Sequence, residues 1–79
     1  MQVRPVGPNQ TVITLPNQDE VFFSYQTPVA GWVCGKGFWR TTERFSTTTS
    51  RHVGRYANTA NVRDLSPEQT AELLAGYGM

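Results

Sequence analysis

The chain has 79 residues, a formal net charge of +1 and 38% hydrophobic residues, enough apolar side chains for one real core and too many for a disordered segment. A domain this small buries only about 60–65% of its unfolded surface, which leaves little volume for a deep substrate pocket beside the core and favours a protein that works by presenting a surface. A single cysteine, Cys34, excludes an intrachain disulfide and a cysteine-based zinc site.

In chain order, residues 1–10 read as a flexible polar arm carrying Pro5, Gly7 and Pro8, and residues 11–79 as the single domain. The arm lacks the apolar run of a signal peptide, and no stretch approaches the roughly 20 apolar residues of a membrane span. A soluble, cytoplasmic protein with no membrane partner is therefore expected. Thr11–Leu15 is a β-branched run that ends at Pro16-Asn17, the mark of a strand and a turn. Glu20–Tyr25 alternates Val21, Phe23 and Tyr25 against Phe22 and Ser24, and pairs with the first strand as a hairpin. Thr27-Pro28 interrupts the ladder, because proline has no N–H to donate. Val29–Cys34 and Phe38–Phe45, joined by Gly35-Lys36-Gly37, form a second hairpin.

The cluster Ser46–Ser50 supplies helix-capping side chains for a short helix over 51–57, with Val53, Tyr56 and Ala57 on one face. Gly54 weakens that helix by about 1 kcal/mol relative to alanine. Val62-Arg63 is either a short strand or loop. The clearest local signal comes last. Ser66-Pro67-Glu68-Gln69 combines an N-cap, a first-turn proline and a capping-box glutamine, and the helix runs to a C-cap at Gly76. These elements predict an α+β fold: a small curled antiparallel sheet of three to four strands with one or two short helices.

Charge is unevenly distributed. Lys36, Arg40, Arg44, Arg51 and Arg55 fall between residues 34 and 56 against the single acid Glu43. Phe38, Trp39, Phe45 and Tyr56 are interleaved with them, together with seven hydroxyl side chains. Guanidinium groups pair with phosphates, and aromatics stack on bases. Strand alternation puts Trp39 and Phe45 in the core and Phe38, Arg40 and Arg44 on the other face. The candidate partner-binding residues are thus Lys36, Phe38, Arg40, Arg44, Arg51, His52, Arg55 and Tyr56. Each also has a plainer reading: a solvated charged face for the basic residues, a helix cap for the threonine run.

Cys34 and His52 could form a thiolate–imidazolium pair, against the alternative of a core cysteine and a half-exposed histidine. Trp32 and Trp39 flank the Gly35–Gly37 turn and are expected as cross-strand core neighbours. No metal-ligand spacing, phosphate-binding glycine loop or serine elbow is present. The expectation is a protein without catalytic, metal or cofactor residues.

Ser24-Tyr25-Gln26-Thr27-Pro28-Val29-Ala30 and Thr47-Thr48-Thr49-Ser50-Arg51-His52-Val53 resemble small uncharacterised proteins of bacteriophages, plasmids and archaeal mobile elements. In that type an SY-x-TPVA strand is followed by a helix start reading TTS, then Lys or Arg, His, and Ile or Val. The likeness covers residues 11–57 and implies a setting, not an activity: accessory cargo of a mobile element. Two functions are expected on these grounds. One is an accessory protein that binds nucleic acid or a nucleoprotein through the basic face. The other is a protein-binding inhibitor of a host enzyme or defence system, of the anti-CRISPR kind, in the host cytoplasm.

Overall fold

The computed structural model describes residues 1–43, 46–59 and 61–79. It contains six strands and two helices in the order β1 (Gln2–Gly7), β2 (Gln10–Thr14), β3 (Glu20–Ser24), β4 (Thr27–Val33), β5 (Gly37–Thr41), α1 (Thr47–Tyr56), β6 (Arg63–Leu65) and α2 (Pro67–Gly76). The strands form one sheet in sequence order. Neighbours from β1 to β5 are antiparallel, and β6 lies parallel to β5, the connection between them passing through α1.

This corrects the expected three- to four-stranded antiparallel sheet: six strands are present and the sheet is mixed. The two extra strands escaped for separate reasons. Gln2–Gly7, expected as an arm, pairs with β2 along its length. Its first five residues are exposed, so it carries no apolar alternation to read, and its position at the sheet edge tolerates Pro5. β6 has only three residues and is recruited by β5.

Pro28 does not break β4. It pairs with Phe23, where the register shifts by one residue after Phe22. The β4–β5 pairing begins only at Ala30, so at Pro28 the strand has a neighbour on one side, and the missing N–H costs no ladder bond. The turns use left-handed residues where the chain must reverse. Asn9 (φ 59°) joins β1 to β2, Tyr25 (φ 59°) joins β3 to β4, and Gly35 and Gly37 (φ 84° and 87°) join β4 to β5.

α1 covers one sheet face. Val12, Phe22, Val29 and Ala30 form the core there, with Val53 and Tyr56 of the helix packed against them. The Tyr56 ring stacks on Phe22 at 4.6 Å and meets Phe38 edge-on at 5.4 Å. Val21 and Trp39 point to the opposite face and are also fully buried, the outcome expected for Trp39. The element left to cover that face is α2, which presents Thr70, Leu73, Leu74 and Tyr77 at helical spacing as its buried or half-buried stripe. The Trp39 indole lies directly over Gly31, where a Cβ would stand 2.5 Å from Nε1 and 2.5 Å from the Glu20 carbonyl. Trp39 Nε1 is buried with no hydrogen-bond partner among the described residues.

Both helix starts are built as their sequences predict. Ser46 Oγ accepts from the Thr49 amide, although α1 begins at Thr47, earlier than the expected 51. Ser66 and Gln69 form a reciprocal capping box. The C-terminal end of α2 differs: Tyr77 is the cap, and Gly78, at φ 83°, takes the left-handed position expected of Gly76. Among the described residues no helix is long and apolar enough to cross a membrane.

Candidate functional site

The sequence-predicted residues divide into three groups. Lys36 is exposed in the β4–β5 turn, and Arg51 and Arg55 are exposed on α1. These three offer charge to solvent. Phe38 and Tyr56 are half-buried and packed together, so they belong to the core under α1 and not to a stacking surface. The Tyr56 hydroxyl donates to Glu20 Oε1 at 3.0 Å, and burial, with Glu20 beside it, pushes its ionisation well above the ordinary phenol range. Arg44 lies outside the described residues, as does Phe45, the expected core residue.

Arg40 is exposed on the face expected of it, but its charge is not free. Nε donates to Asp64 Oδ1 at 2.7 Å, the one salt bridge among the described residues. Arg40 and Asp64 are register partners on β5 and β6, so the pair ties the parallel strand to the sheet. As an exposed pair it contributes about 0–1 kcal/mol. Beside it, a groove of about 310 Å³ runs between β5 and the first turns of α1, with Glu43 also in its wall. Its charge is mixed.

His52 is buried, not half-exposed. It lies on the inner stripe of α1, and Nδ1 sits 2.9 Å from Ser24 Oγ. Ser24 Oγ also donates to Thr49 Oγ1 at 3.1 Å, and Ser46 Oγ reaches Thr49 Oγ1 at 3.3 Å. The chain of four polar side chains fixes the start of α1 to the end of β3. A serine–imidazole contact is the geometry of an activated nucleophile, but Ser24 is only 2% exposed, so a substrate does not reach Oγ in this conformation.

Cys34, by contrast, is exposed, not the core cysteine weighed above. Its amide donates to Asp19 Oδ1 at the start of β3, while His52 bonds Ser24 at the other end. Five residues of strand separate the two by roughly 16 Å, so the Cys34–His52 pair is not formed.

Two residues that sequence reasoning passed over complete the exposed positive surface. Arg4 projects from β1 onto the α1 face, as the register partner of the core residue Val12. It shares with Arg55 a groove of about 360 Å³, whose walls are the β1–β2 hairpin and α1 and whose lining includes Val6, Gln10, Val12, Phe22 and Tyr56. Neither arginine has a carboxylate within salt-bridge distance among the described residues, and all six Asp and Glu side chains belong to those residues. Arg51 stands one helical turn before Arg55. Nearby, Tyr25 is 52% exposed, its ring lies 6.1 Å from the His52 ring, and its amide donates to the Asn9 carbonyl of the β1–β2 turn. Arg4 carries no sequence signal of its own, because the exposed residues of β1 show no apolar alternation that marks a strand. The signal for Tyr25 was its place in a two-residue turn between strands.

Among the described residues no cluster of three or more His, Cys, Asp or Glu side chains could hold a metal ion. The arrangement as a whole defines a small protein with a six-stranded mixed sheet, a helix on each face, and a basic groove between an edge hairpin and the first helix. The chain belongs to a family of unknown function, DUF8033, whose family model matches residues 1–72, from β1 into α2. No curated protein and no solved structure matches it.

Proposed function

We propose that this chain is a small non-enzymatic accessory protein that binds nucleic acid, or a nucleoprotein, through Arg4, Arg51 and Arg55, and that it works in the cytoplasm, that of the host if a phage or mobile element encodes it. The observation that carries this reading is the convergence of Arg4 and Arg55 on one groove with no carboxylate within salt-bridge distance of either among the described residues. Phe38 and Tyr56 are packed in the core and leave the exposed Tyr25 as the available aromatic, and Arg4 takes the part that the paired Arg40 does not fill.

Three phosphates neutralised on a single strand give a slope of log K against log salt of about −2. Fluorescence anisotropy with a labelled oligonucleotide between low and physiological salt measures it. A flat response, or no binding at low salt, overturns the proposal. The second reading, a protein-binding inhibitor of a host enzyme or defence system, draws on the exposed Val6 of β1, which lines the same groove. It predicts that one host protein co-purifies with the chain and is displaced when Val6 is changed to Ser.

A further inference from the structure

We infer that the chain forms a two-fold dimer in which the free edge of β1 pairs antiparallel with β1 of a second copy, centred on Val3. The sheet has two edges, β1 and β6. β6 has three residues, two of them the exposed and charged Arg63 and Asp64, and a short charged edge resists pairing. β1 has six residues and no strand on its outer side, so alternate backbone N–H and C=O groups there face away from β2. Of the large apolar residues that lie exposed among the described residues, Met1, Val3 and Val6 fall at this edge. An apolar row on the α2 face also runs out to it. Val3 is the register partner of Ile13, Ile13 of Val21, and Val21 of Gly31, over which the Trp39 indole lies. Along that row exposure climbs from 0% at Val21, through the half-buried Ile13, to 64% at Val3, and no polar residue ends it.

The strand is complementary to itself, which makes a second copy the occupant. Opposed side chains in an antiparallel pair share a face, so a two-fold pairing that continues the sheet sets one residue opposite itself at the centre. With Val3 there, the two valines meet on the α2 face, and the row Val21–Ile13–Val3 continues into the same three residues in reverse. On the α1 face Gln2 comes opposite Arg4, and its carboxamide oxygen accepts from the guanidinium. Pro5, which has no N–H, falls at the end of the ladder opposite Met1. Centring on Arg4 would oppose two like charges, and centring on Pro5 would put two residues without an N–H in the middle of the ladder. An unrelated strand finds the same backbone groups without this reciprocity. The dimer rests on β1 alone and not on the nucleic-acid reading, although its axis, perpendicular to the sheet, leaves both α1 helices on one side of the joined sheet.

Sedimentation velocity on the full chain without nucleic acid, from about 10 µM to 1 mM, is expected to show a monomer–dimer equilibrium. Val3→Lys sets two ammonium groups against each other on the axis and is expected to raise the dissociation constant by about 10-fold or more. Ala71→Lys adds the same charge on the exposed side of α2 and is expected to leave the constant unchanged. Both positions are exposed, and circular dichroism checks that the variants fold. Amide hydrogen exchange supplies the second readout: protection of β1 amides is expected to rise with concentration in the parent chain and not in Val3→Lys. A chain that stays monomeric throughout, or a dimer that Val3→Lys leaves intact, overturns the proposal. So does a monomer whose β1 amides gain protection only when a host protein is added, which assigns the edge to that protein. None of these outcomes alters the oligonucleotide titration above, which reads the arginines.

Discussion

At the scale of single residues, Asp19 is the carboxylate on which the fold leans most. It is buried, at 6% exposure, and three donors meet it: the Tyr77 hydroxyl, the Cys34 amide and the Asn17 side chain. Burial alone raises its pKa, but the hydrogen bonds from Tyr77, Cys34 and Asn17 outweigh it and hold the carboxyl below the ordinary range. Burial and Asp19 together push the Tyr77 phenol above its ordinary range. The signs follow by linkage. A depressed carboxylate contributes stability above its unfolded pKa, near 4, and loses it as pH falls through the lower folded value. A raised phenol contributes stability below its unfolded pKa, near 10, and loses it as the pH climbs beyond. Tyr77→Phe removes a charge-assisted bond between α2 and the β2–β3 turn and should cost about 1.5 kcal/mol at neutral pH, read from urea unfolding. It should also flatten the stability profile at both ends, below about pH 4 and above about pH 10. A variant as acid- and alkali-sensitive as the parent would show that the bond carries no linkage.

At the scale of elements, α1 is held by unlike forces along its length. Its C-terminal half is apolar, with Tyr56 between Phe22 and Phe38. Its N-terminal half is polar, with His52 and Thr49 on Ser24. Removing one partner of a buried hydrogen bond strands the other, at about 1–3 kcal/mol. Ser24→Ala and His52→Ala should therefore each destabilise by about 2 kcal/mol, and the double variant by less than their sum, with a coupling of about 1 kcal/mol in a double-mutant cycle. Additive losses would show that the contact is incidental. Such a latch also explains what could be read in advance. The capping serines, the burial of Trp39 and the exposure of Arg40 follow from local rules of spacing and alternation, which a sequence displays. That His52 faces inward follows the same helical spacing as Val53 and Tyr56, but its partner Ser24 lies 28 residues away, and nothing local encodes that pairing. The same holds for β1 and β6. Each is a strand because a neighbour offers it hydrogen bonds, one exposed on its first five residues and the other three residues long, so neither carries the apolar period that marks a buried strand. Arg4 was lost with β1, and with it half of the groove.

At the scale of the whole molecule, a net charge of +1 conceals two unlike sides. Arg4, Arg51 and Arg55 lie with α1 on one face of the sheet, while Glu68 and Glu72 are exposed on α2, which covers the other. A molecule divided in this way meets a polyanion in one orientation, even though its total charge offers little attraction. Tyr25 stands on the positive side and carries a local cost, because a non-glycine residue at φ 59° sits in the left-handed region, disfavoured by roughly 1–2 kcal/mol. Asparagine tolerates that conformation far better. If Tyr25 were only a turn residue, Tyr25→Asn would be a simple improvement, raising stability by about 0.5–1 kcal/mol and the melting temperature by a few degrees. If its ring is a stacking platform, the same substitution should also weaken oligonucleotide binding by about 5-fold or more, the equivalent of about 1 kcal/mol of base stacking. Stability and affinity are thus expected to move in opposite directions. A gain in stability with affinity unchanged would remove Tyr25 from the binding surface and leave the three arginines to act alone.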